Sequence, residues 1–174
     1  ATGGASFYDL VLEKTAESLT PYNNITVVND FNLVSGQWRQ SATGLEFTFK
    51  GGFTLSDPAL WLDAVNILNF KGESSQALVC NTPGWLTVGS ILVQRTAGNG
   101  FLNLGSDIHC NSKLKVISGE VELDGYRLIC GDSLSVWSGA DFSVFNDATI
   151  AISDYGSIYV NGGHLMILGS PGSR

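Results

Sequence analysis

The run from Phe101 to Val136 constrains the fold more than any other part of the chain. It reads FLNLGSDIHCNSKLKV followed by ISGEVELDGYRLICGDSLSV. Aligned on itself, it sets Ile108 against Leu128, Cys110 against Cys130, Leu114 against Leu134 and Val116 against Val136, each pair twenty residues apart. Apolar and polar residues alternate within each copy, the pattern of a strand with one buried face. A fixed period near twenty, with short strands broken by Gly, Asn and Asp, predicts a β-solenoid. A coil of that length does not bury its own apolar side, so each must stack on its neighbours.

The same spacing recurs upstream. Ile25, Val27, Phe31 and Leu33 precede Phe47, Phe49, Phe53 and Leu55 by twenty-two residues, and Leu68 and Phe70 follow Phe47 and Phe49 by twenty-one. Gly36, Gly51, Gly52 and Gly72 mark corners, where positive φ or close backbone approach suits glycine. The best helical stretch, Leu10 to Leu19, contains Val11-Leu12 and Thr15 and reads better as strand and loop. After Gly139, Phe142, Val144, Ile150 and Ile152 form one coil and Ile158, Val160, Leu165 and Ile167 another, before a frayed GSPGSR tail.

A longer repeat overlies the coils. Leu10, Leu12, Thr15 and Ala16 lie 81 residues before Ile91, Val93, Thr96 and Ala97. Ile25, Val27, Phe31, Leu33, Ser35 and Gly36 lie 83 before Ile108, Cys110, Leu114, Val116, Ser118 and Gly119. The offset then returns to 81, with Phe47, Phe49 and Leu55 falling on Leu128, Cys130 and Val136. The expected organisation is two modules, 1–82 and 83–174, in one continuous solenoid. The expected fold is all-β, a right-handed parallel β-helix of about eight coils of roughly 20 residues, a rod on the order of 40 Å long.

Charge narrows the partners. The net charge of −7 and pI near 4.6 disfavour nucleic acid and anionic membrane surfaces. No run approaches eighteen apolar residues, so membrane insertion is not expected. The chain begins at Ala without a signal peptide, and the expectation is a processed product or a segment of something longer.

The stretches SFYDLVLEKTAESLTPYNNITVVNDFNLVSGQW, NILNFKGESSQALVCN and ILVQRTAGNGFLNLGSDIHCNSKLKVISGEVELDGYRLICG resemble the β-helix repeats of very large secreted and cell-surface proteins of Bacteroidetes-type bacteria. The resemblance covers most of the chain and rests on spacing and turn residues. It implies an extracellular, adhesin-like location, export by the type IX secretion system, and neighbouring modules of the same long protein or other surface proteins as partners. The implied role is a non-catalytic structural or adhesive segment. The alternatives are a carbohydrate-binding or polysaccharide-degrading β-helix and, third, a viral tail-fibre segment that would trimerise through an outer face.

Residues able to carry chemistry are few. Cys80, Cys110 and Cys130 each close an apolar-x-Cys strand and are read first as small buried hydrophobes. The stacking of Cys110 on Cys130 leaves a disulfide between them open. There is no CxxC, and no metal or cofactor is expected. His109 and His164 fall on outward positions. Asp107, Asp124, Asp132, Asp141, Asp147 and Asp154 sit mostly at corners, where turn propensity explains them without an acid–base role. Exposed aromatics are the better lead: Trp137, Tyr126 and Tyr159 alternate outward, are read first as contacts to a loop or adjoining module, and are otherwise the candidate glycan contacts. Trp38 is expected in the core.

Overall fold

The computed structural model describes residues 4–40, 43–96, 100–153 and 156–168. Ala97, Asp154 and the GSPGSR tail lie outside the described residues, as does the side chain of Ala16. The chain is all-β, a solenoid of about seven turns, with one short 3-10 turn among the described residues, at Pro58–Leu60.

The first turn holds β1 (Ala5–Phe7) and β2 (Leu10–Leu19), the second β3 (Ile25–Val27) and β4 (Phe31–Arg39). The third holds β5 (Glu46–Phe49), β6 (Phe53–Leu55) and β7 (Trp61–Leu62). The fourth holds β8 (Ile67–Phe70), β9 (Gln76–Cys80) and β10 (Trp85–Val88), the fifth β11 (Ser90–Gln94), β12 (Phe101–Gly105) and β13 (Asp107–Cys110). The sixth holds β14 (Lys113–Asp124) and β15 (Arg127–Cys130), the seventh β16 (Ser133–Trp137), β17 (Ala140–Phe145) and β18 (Thr149–Ile152). Then β19 (Ser157–Asn161) and β20 (His164–Ile167) open one further rung.

Every strand-to-strand ladder is parallel, and the ladders form three faces. On the first, Ala5, Ile25, Phe47, Leu68, Ile91, Leu114, Leu134 and Ile158 stand in register. On the second, Leu10, Phe31, Phe53, Leu78, Leu104, Leu123, Val144 and Ile167 do so. The third runs Leu19, Trp38 and Trp61 in the early turns, then Leu86, Ile108, Leu128 and Ile150. Eight rungs span seven steps, roughly 34 Å at the usual strand spacing of ~4.8 Å. The expected period of twenty holds between β13 and β15, between β14 and β16 and between β1 and β3; other coils, such as that from β9 to β12, are lengthened by loops at the corners, which add residues without disturbing the inward ladders.

The longer repeat has a geometric meaning that sequence alone does not carry. Leu10 and Leu12 lie on the second face, but their matches Ile91 and Val93 lie on the first. Ile25 and Val27 on the first face match Ile108 and Cys110 on the third. Phe31 and Leu33 on the second match Leu114 and Val116 on the first. The offset of 81–83 residues therefore turns the chain by one face. What it preserves is the order of strands and corners: Gly36 and its match Gly119 both have φ near +85°, each bending one long strand from face to face. An L-residue is disfavoured at that φ, and a Cβ on Gly119 would stand 2.6 Å from the Arg95 Cβ.

Inward positions form a dry core. Leu33, Phe47, Leu55, Leu104, Cys110, Leu123 and Val136 are all essentially fully buried. Its early turns are aromatic: Phe31 stacks on Phe53 at 4.9 Å, Trp38 on Trp61 at 5.1 Å, and Phe49 packs edge-on to Phe31 and Phe53. Corners are stitched from turn to turn by side chains that accept backbone N–H groups. Asn24 Oδ1 accepts from Glu46 N, Asp30 Oδ1 from Gly52 N and Asn66 Oδ1 from Leu45 N. Arg95 is an exception inside the wall, only 2% exposed. Its guanidinium donates to Gln76 Oε1 and to the Ser74 carbonyl, while its Nε has no partner. Burial lowers its pKa.

Candidate functional site

The strand β14 places opposite charges on two different faces. Its first half alternates Lys113-Leu114-Lys115-Val116 and its second Glu120-Val121-Glu122-Leu123. Leu114, Val116, Val121 and Leu123 point inward, so the lysines point out from the first face and the glutamates from the second. Gly119 is the bend between them.

Above the lysines on the first face, register puts Ser133 beside Lys113 and Ser135 beside Lys115. The next rung adds Tyr159 beside Ser135, and Asn161 beside Trp137. Together they line an open groove of about 560 Å³. The Lys115 ammonium lies 4.2 Å from the centroid of the Trp137 ring, a cation–π contact that holds the charge against an aromatic surface. Trp137 is 42% exposed and Tyr159 59%. The groove continues towards the earlier turns as a second hollow of about 230 Å³, which shares both lysines and adds Ile67, Leu92 and Ile117. Among the described residues, neither lysine forms an ion pair with a carboxylate.

No family model, curated protein or solved structure matches this chain.

Two of the three aromatics expected to face outward, Trp137 and Tyr159, thus share one groove. Tyr126 is also exposed but lines a separate hollow of about 260 Å³ with Cys80, Pro83, Ser106 and Asp107. There Asp107 accepts from the Arg127 backbone N–H at 2.9 Å and from its Nε at 3.0 Å. The Arg127 guanidinium lies 4.5 Å over the Trp85 ring. The hydrogen bonds from Arg127 outweigh the opposing effect of burial and hold the Asp107 carboxyl below its ordinary range.

Of the carboxylates expected at corners, Asp107 lies instead within β13 and Asp141 within β17, where register sets it between Glu120 and His164; the remaining carboxylates and Asp141 are held by different side chains. Asp132 accepts the Ser112 hydroxyl at 2.6 Å, Asp124 accepts Asn146 Nδ2 at 2.5 Å, and Asp141 meets His164 Nδ1 at 2.7 Å. Asp147 sits in a positive-φ turn beside Asn146. His109 is half-buried on the outside of the third face between Thr87 and Ile129, and His164 is exposed. No group of three or more His, Cys, Asp or Glu side chains with metal-site geometry occurs among the described residues.

All three cysteines are free thiols. Cys110 and Cys130 stand in register on adjacent turns, both fully buried. The hydrogen bond with Cys130, and then burial, push the Cys110 thiol well above its usual range. Cys80 corrects the expectation of a common buried slot. Its register partner Leu55 is fully buried, but Cys80 itself is only partly so, because β9 ends there and the 81–84 loop opens the hollow.

Alternation alone missed the lysines. The twenty-residue period that stacks Leu114 on Leu134 also stacks Lys115 beside Ser135, so the signal was present in the outward positions of the same repeat.

Proposed function

We propose that this chain is a non-catalytic, rigid segment of a larger extracellular bacterial protein, acting as a spacer and as an adhesive surface. The observation that carries the reading is how the candidate carboxylates are used. Asp107, Asp124, Asp132 and Asp141 are each engaged by a different neighbour, and among the described residues no two of these four share a hydrogen-bonding partner. A spacer needs continuous inward ladders and a soluble exterior, both of which this sequence provides. The resemblance to repeats of large surface proteins supports the extracellular setting. The final rung supports continuity with further structure: Ile158 and Ile167 occupy ladder positions, yet are 48% and 74% exposed.

The test is incubation with a panel of plant, algal and bacterial polysaccharides, assayed for reducing ends and unsaturated products. No product is expected. Reproducible release of product, abolished by Asp107→Asn or Asp132→Asn, overturns the reading in favour of a depolymerase.

A further inference from the structure

We infer that the first-face groove is a binding site for an anionic polysaccharide, one bearing uronate carboxylates or sulfate esters. The inference rests on the adhesive part of the proposed function and names its ligand.

Three features converge there. The first is charge: on a chain of net −7, Lys113 and Lys115 stand on one strand face, and neither is neutralised by a carboxylate among the described residues. The acidic side chains of the same strand are turned onto the second face. A polyanion approaching the groove meets ammonium groups, where most of the surface would repel it. The second is the aromatic floor. Trp137 and Tyr159 present flat, partly exposed rings one rung apart, the surface on which the C–H face of a sugar ring packs. The third is hydroxyl lining. Ser135 stands between Lys115 and Tyr159, and Ser133 between Lys113 and Ser157; their hydroxyls can donate to or accept from sugar hydroxyls.

The shape suits a linear polymer. The two adjoining hollows share Lys113 and Lys115 and run along the solenoid axis from Ile67 to Tyr159, five rungs separated by four steps, or roughly 19 Å. An acidic peptide is the competing occupant. The ring and hydroxyl lining favours a sugar polymer over it, and polyglutamate is its arm of the test.

The experiment is affinity electrophoresis and titration calorimetry of the full chain with polygalacturonate, a sulfated galactan, a neutral β-glucan and polyglutamate. Retention by a uronate or sulfated polymer is expected, weakening as sodium chloride is raised. The neutral glucan and polyglutamate should give at most a tenth of that affinity, roughly. Lys113→Ala with Lys115→Ala, and separately Tyr159→Ala, should each weaken binding by about tenfold or more, with melting temperatures unchanged because these side chains point away from the core. Tyr22→Ala, an exposed tyrosine that lines neither hollow of this groove, should leave binding intact. The inference is overturned by no retention on either acidic polysaccharide, by equal retention on neutral glucan, by stronger binding of polyglutamate, or by variants that fold and bind as the wild type does. Loss of binding alone leaves the spacer reading standing, whereas product release from the same polymers overturns that reading and not this site.

Discussion

Trp38 and Trp61 stack on successive turns, their ring centroids 5.1 Å apart and their planes within 9° of parallel. The two rings are chemically unequal. Trp61 Nε1 donates to the Asp63 carbonyl at 2.8 Å, whereas Trp38 Nε1 is buried without a partner. An unmade buried hydrogen bond costs the desolvation of its donor, while a made one contributes about 1 kcal/mol net. Trp38→Phe should therefore be close to neutral, the loss of ring area being offset by removal of the orphaned N–H. Trp61→Phe should cost more, by about 1 kcal/mol. Urea unfolding of the two variants checks this, and an equal or reversed ranking contradicts it.

The Cys110 and Cys130 thiols should be inert in the folded protein. Both are fully buried, and thiolate formation at Cys110 is opposed by Cys130 and by the apolar core. Brief iodoacetamide treatment at neutral pH, read by peptide mass spectrometry, should modify Cys80 first and the other two only in denaturant. Rapid native labelling of Cys110 would show that the core opens there.

Leu123 is fully buried on the second-face ladder between Leu104 and Val144. Leu123→Ala should destabilise by about 2–5 kcal/mol through lost burial and the cavity left behind. Leu123→Asp should melt at least its own coil, since it puts an unpaired charge in a dry ladder. Wild-type melting behaviour in the Asp variant would refute the inward assignment.

Stability should also respond to acid through Glu122. Burial, then the nearby charges of Glu120 and Asp124, raise its pKa in the fold. A carboxyl raised by folding binds its proton more readily in the folded chain, so its ionised form weakens the fold at neutral pH. That penalty is relieved as pH falls through the raised value. Glu122→Gln should raise the melting temperature slightly at pH 7, and the gain should shrink as pH falls past the ordinary carboxylate range. The charge is largely solvated, so the effect is small. A gain that persists undiminished at low pH would point to another cause.

Much of this architecture was legible in the residues. Cys110 and Cys130 fall in register where the twenty-residue repeat set them, and Leu10–Leu19 is a strand despite its helix-compatible length. Trp38 is in the core, and Trp137, Tyr126 and Tyr159 are exposed. The coil count came out near seven turns because the coils carry more residues than the tightest repeat implied. Cys80 escaped the pattern because a loop, not a strand, adjoins it.

Inward assignment was fixed by sequence, because side chains alternate along a strand and a slip of one residue would expose every apolar group at once. Face assignment was not. Strands on all three faces share the same alternation, so the 81–83-residue match between Phe31 and Leu114 was blind to the rotation of one face separating them. The groove depends on the same missing information. Lys115 and Trp137 meet only because inter-turn hydrogen bonds set Lys115 beside Ser135, two residues from Trp137. Local chain chemistry decides which way a residue points; the length of each corner loop, resolved only when the turns stack, decides what it stands beside.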